Sequence, residues 1–132
     1  MSYNGWMLPD TERVRILALF PPKYANAKAT HVTLGLDSKE IPQDAEIVAY
    51  AYVDDGAGIE ALIVQVDGEI RRPDGETFHM TLSVADGRAS KESNDVIKAY
   101  AREDLERDVV IATRAFMTSG KSYVTTPLSR RA

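Results

Sequence analysis

Residues 46 to 66 leave the chain little choice of fold. Glu46 to Val53 and Ile59 to Val66 are rich in Val, Ile, Tyr and Leu, and Asp54-Asp55-Gly56-Ala57-Gly58 stands between them. Branched and aromatic side chains fit a pleated surface, and a Gly-rich turn reverses the chain, so this segment is predicted as a β-hairpin. Asp67-Gly68 and Pro73-Asp74-Gly75 mark further turns, with Glu69 to Arg72 extending an edge between them, and Phe78 to Val84 reads as the next strand.

Before the hairpin, Pro9-Asp10-Thr11-Glu12 is a helix start. Val14, Leu17, Ala18 and Phe20 follow at near-helical spacing and Pro21-Pro22 forbids continuation, which gives a helix from about Asp10 to Leu19. Thr30 to Leu36 alternates with period two, as a half-buried strand does. After the hairpin, Ser93-Asn94-Asp95 offers a cap to a helix that begins at Val96. Asp108 to Met117 is read as a last strand in preference to a continuing helix, and Thr118 to Ala132 as a flexible tail with little apolar content. The expected class is α+β: one domain over residues 1–132, a curved, mostly antiparallel sheet with flanking helices.

Composition removes several function classes. The chain has no cysteine, which excludes a disulfide framework, a thiolate zinc site and a cysteine nucleophile. A formal net charge of -4 argues against the broad basic surface that long duplex nucleic acid requires, although a small anionic ligand needs only a few cations, and Arg71, Arg72, Arg88 and Lys91 lie on either side of the strand Phe78 to Val84. No apolar run approaches the roughly 18 residues of a membrane span, and Met1-Ser2-Tyr3-Asn4-Gly5-Trp6 lacks the basic and apolar regions of a leader, so a cytoplasmic protein without a membrane partner is expected.

The chemistry is concentrated in two tripeptides. The protein has 2 histidines, and each is followed two places later by threonine: His31-Val32-Thr33 and His79-Met80-Thr81. At this chain's threonine usage the chance of both is on the order of one in two hundred. On a strand, residues i and i+2 share a face, so His31 pairs with Thr33, and His79 with Thr81 and Ser83, while Val32, Leu34, Met80 and Leu82 turn to the core. Two imidazoles that titrate near neutrality can give and take a proton, and two hydroxyls can hydrogen-bond the non-bridging oxygens of a phosphate ester. Two histidines fall short of the three or more ligands a zinc site wants, and threonine is a poor ligand, so no metal or other cofactor is expected.

Thr30-His31-Val32-Thr33-Leu34-Gly35-Leu36 and Phe78-His79-Met80-Thr81-Leu82-Ser83-Val84 resemble the 2H phosphoesterase superfamily, which is named for a pair of H-x-[TS] motifs. The resemblance implies a two-lobed α+β fold with a central cleft and metal-independent hydrolysis of 2',3'-cyclic phosphates or of 2'-5' or 3'-5' phosphodiesters. The partner so implied is a small nucleotide or an RNA end. It makes His31 and His79 the acid-base pair, with His79 the base toward water, and Thr33 and Thr81 the phosphate binders. Ser83, Tyr24, Arg71 and Arg72 are further candidates for substrate binding, and Tyr50, Tyr52 and Tyr100 join Tyr24 as candidates for stacking on a base. The alternative is a non-catalytic nucleotide or RNA-end binding module built on the same pocket.

Overall fold

The computed structural model describes residues 3–36, 41–119 and 122–125. In chain order the elements are β1 Tyr3–Met7, α1 Asp10–Leu19, β2 Asn26–Ala27, β3 His31–Leu36, β4 Ile47–Asp54, β5 Ile59–Val66, β6 His79–Val84, α2 Ser93–Ala99, β7 Glu103–Ile111, β8 Arg114–Ser119 and β9 Ser122–Thr125. The class is α+β, as expected, with strands predominating. In place of one curved sheet there are two antiparallel ones, ordered β3-β1-β8-β9 and β2-β6-β5-β4-β7.

The chain crosses between the sheets at two places, and each has a local cause. At Ala29 the backbone takes a left-handed φ of 55°, which turns the chain out of β2 in the second sheet and into β3 in the first. At Ala112-Thr113 the strand expected from Asp108 to Met117 breaks into β7, in the second sheet, and β8, in the first. The Glu12 carboxylate of α1 accepts the Ala112 backbone N–H at 2.7 Å and so anchors that break. β1 lies inside the first sheet, between β3 and β8. Its Asn4 and Gly5 give no alternating signal, and the sequence reading placed no strand there.

α1 has the predicted bounds, with acidic Asp10 and Glu12 in its first turn, where the helix dipole favours them. Its apolar face differs from the expected one: Ile16 is fully buried while Val14 is 68% exposed. α2 begins at Ser93, so Ser93, Asn94 and Asp95 form its first turn and do not precede it. A 3-10 turn at Ser90–Glu92 leads straight into it and supplies the bend that a cap would otherwise make. Ser122–Thr125, part of the expected tail, pairs with β8, and residues 126–132 lie outside the described residues.

One apolar cluster joins the sheets, with Trp6, Val32, Leu34 and Ala115 from the first, Leu62, Val64, Met80 and Leu82 from the second, and Ile16 of α1. A smaller cluster, Val53, Ile59, Ala61, Val84 and Val96, lies under α2 on the other face of the second sheet. Val32 and Met80 both point into the shared core, so His31 and Thr33 on β3 and His79 and Thr81 on β6 turn the opposite way.

Candidate active site

The two tripeptides line one small cavity of about 150 Å³, although they belong to different sheets. His31, Thr33, His79 and Thr81 all face it, together with the cations Lys28, Arg72 and Lys91. Tyr3, Thr30, Ser90 and Asn94 complete the wall. Among the described residues no carboxylate borders the cavity, and no three of His, Cys, Asp and Glu stand together as a metal-binding group. A cavity of roughly 150 Å³ holds about six heavy atoms, the size of a phosphoryl group and its ester carbon, so a base attached to it would lie outside.

Each imidazole is held by its Nδ1. His79 Nδ1 lies 2.9 Å from the Thr77 carbonyl, which can only accept, so Nδ1 carries the proton and Nε2 keeps its lone pair. His31 Nδ1 meets Thr30 Oγ1 at 2.8 Å, and its ring lies against Tyr3, with centroids 4.7 Å apart, and edge-on to Phe116. Burial, and then the nearby His79 imidazole, push His31 down to about 4. Burial also lowers His79, with the Thr77 hydrogen bond opposing and the Arg72 charge adding. Both rings are therefore neutral at pH 7, and the mutual repulsion allows one proton between them more readily than two.

The hydroxyls differ. Thr81 Oγ1 is engaged by Ser93 Oγ at 2.9 Å. Thr33 has no side-chain hydrogen bond from the described residues and is left for a ligand. Asn94 Oδ1 is buried without a partner among the described residues, which equips the wall with one acceptor for a ligand hydroxyl. Arg72 is buried in the wall and bound to Asp74 through Nε at 3.1 Å and Nη2 at 2.5 Å, an arrangement that fixes the guanidinium while leaving Nη1 unclaimed.

Three of the further candidates lie elsewhere. Ser83 was expected beside Thr81, but β6 has a bulge: Thr81 pairs with Ala61 and Ser83 with Glu60, so Leu82 is an extra residue and the alternation reverses. Ser83 is buried against the Glu60 carboxylate and accepts the Tyr24 backbone N–H at 3.1 Å. Tyr24 gives its hydroxyl to Asp54 at 2.6 Å, away from the cavity. Arg71 points out of the cavity and reaches the Gly75 carbonyl. Arg88, also considered, is tied to Asp55 and Glu92. Sequence reasoning missed Tyr3, Lys28, Thr30, Ser90 and Asn94. Lys28 and Thr30 precede His31 closely enough to have been suspected, whereas nothing local marks Tyr3 or Asn94.

Comparison with family models, curated proteins and solved structures finds no match to this chain.

Proposed function

We propose that the cavity is the active site of a metal-independent phosphoesterase of the two-histidine kind, acting on a 2',3'-cyclic phosphate or an internucleotide phosphodiester. The observation that carries this reading is the convergence of both His-x-Thr strands, from separate sheets, on one cavity that, among the described residues, three cations and no carboxylate border. On this reading the two sheets serve as the two lobes of a 2H-like fold and the cavity as its cleft.

In the proposed reaction the phosphoryl oxygens bind Thr33 and Thr81, with Lys28, Lys91 and Arg72 balancing their charge. His79 Nε2, held unprotonated by the Thr77 bond, takes a proton from water as the water oxygen attacks phosphorus. The bond to the leaving oxygen breaks, and His31 delivers a proton to that oxygen. The bound anion supplies what the empty site lacks, a negative charge that raises the basicity of His31 from about 4 toward neutrality. After release, His79 holds a proton and His31 does not, and exchange with water resets the pair.

Low basicity of His31 in the free protein also favours a second reading, a module that binds a phosphorylated end without turning it over. Hydrolysis of 2',3'-cyclic mononucleotides, cyclic-phosphate-ended RNA and cyclic oligonucleotides in EDTA separates the two. Turnover that resists the chelator and is abolished in His31→Ala and His79→Ala supports the enzyme, and saturable binding without turnover on any of these supports the module.

A further inference from the structure

On the same face of the second sheet as His79 there is a second hollow, of about 230 Å³, that the reaction above does not use. β5 places Ile63 directly across from His79, and Ile63 in turn pairs with Ala51 of β4. Tyr50, next to Ala51, is the extra residue of a bulge in β4, and it lines this hollow with Ile63, Ile97 and Tyr100. Arg71 and Arg102 border it, the guanidinium of Arg102 lying 5.5 Å from the centre of the Tyr50 ring. Tyr100 is 49% exposed at the end of α2, and the ion pair of Arg102 among the described residues is an exposed 3.4 Å contact with Asp104. Thr77, whose carbonyl holds His79 of the cavity, lines the hollow, so one hydrogen bond links the two.

Two tyrosines and two guanidinium groups among apolar residues are the ordinary composition of a single-stranded nucleic-acid contact. An aromatic ring stacks on any base, and arginine adds charge toward phosphate and a planar face of its own. Two strand spacings separate His79 from β4, roughly 10 Å, which is the reach of the nucleotide next to the one carrying the phosphoryl group. A net charge of -4 over the chain fits a contact with one or two nucleotides and not with a long strand.

We propose that the Tyr50–Tyr100–Arg71–Arg102 hollow seats the base of the nucleotide adjoining the reacting one, so that the site selects an oligoribonucleotide end over a free mononucleotide. The inference rests on the phosphoesterase reading of the cavity for the chemistry, and on the hollow alone for the selectivity. The other two tyrosines considered for stacking, Tyr24 and Tyr52, give their hydroxyls to Asp54 and Glu60.

The test pairs binding with turnover in the wild type, Tyr100→Ala and Arg102→Ala. Fluorescence anisotropy follows a 5'-labelled ribotrinucleotide with a 3'-phosphate, with the mononucleoside 3'-phosphate as competitor, and the 2',3'-cyclic forms of both serve as substrates. The wild type is expected to prefer the trinucleotide about tenfold, and Tyr100→Ala to abolish that preference while leaving the mononucleotide values unchanged. Equal values for the two lengths, or a variant that weakens both alike, overturn the proposal. Tyr100-dependent trinucleotide binding without turnover keeps the hollow and removes the phosphoesterase reading. Mononucleotide turnover without a length preference does the reverse.

Discussion

The backbone N–H of Ala29 donates to the carbonyl of Thr81 at 2.8 Å, and this bond ties the approach to the first motif directly to the threonine of the second. Lys28 repeats the connection one residue earlier by donating to Leu82 at 2.7 Å. Ala29 is fully buried with φ at 55°, a conformation that costs an L residue about 1 kcal/mol and a β-branched one more. Ala29→Val is therefore expected to lose at least about 2 kcal/mol of stability and most of the activity, and Ala29→Gly to retain both. Denaturant midpoints and turnover, measured side by side, check this; a stable and active valine variant contradicts it.

Gly5 serves the other motif. It pairs with Thr33, and a Cβ added there would lie 2.0 Å from the Val32 carbonyl oxygen, between His31 and Thr33. Backbone cannot yield as a flexible side chain does, so Gly5→Ala must push β3 away from β1. The variant is expected to unfold at lower temperature and to lose turnover more than tenfold, as a displacement near 1 Å suffices for such losses. Wild-type kinetics in this variant is the contrary result.

Stability depends on pH in a direction set by the histidines. His31 titrates near 6.5 when unfolded and at about 4 in the fold, so between those values the unfolded chain binds a proton that the native one refuses. Stability is therefore full above 6.5, falls as the pH drops through that value, and stops falling on this account near 4. Between pH 7.5 and pH 5 the loss is about 2 kcal/mol from His31, and His79, shifted the same way, adds to it. The lowered carboxylates Glu12, Asp54, Asp55 and Asp74 act at lower pH still. Urea midpoints at the two pH values, in the wild type and in His31→Gln, measure the effect, and equal slopes for the two proteins refute it.

Ser93 is a positioning residue for Thr81. It is fully buried, and its Oγ meets Thr81 Oγ1 at 2.9 Å. Ser93→Ala is expected to raise KM for the phosphate ester several-fold with little change in kcat, and Thr81→Val with Ser93→Ala to be no worse than Thr81→Val alone. Effects of the two substitutions that simply add are the result that excludes the coupling.

The hairpin, α1, both motif strands and the polar face of His31, Thr33, His79 and Thr81 were legible because each rests on local periodicity or local turn chemistry. What escaped was set by pairing partners. The bulge opposite Glu60 that removes Ser83 from the site leaves no mark in the sequence of β6, and the extra residue at Tyr50 leaves none in β4. β1 has a polar middle because Gly5 must admit β3 and Asn4 is buried between two strands, both requirements of its neighbours. Asn94 and Ser90 reach the cavity only because α2 and its 3-10 turn fold back over β6.

If His31 and His79 act together on one phosphodiester, their losses cannot add. Single-turnover hydrolysis in EDTA of the best cyclic-phosphate substrate, by wild type, His31→Ala, His79→Ala and the double variant, is the direct measurement. Each single variant is expected to lose about a thousandfold or more, and the double variant no more than the worse single, as groups that form one catalytic unit do. A single variant that keeps a tenth of the wild-type rate, or a double loss equal to the product of the two, would contradict a joint role for the two histidines.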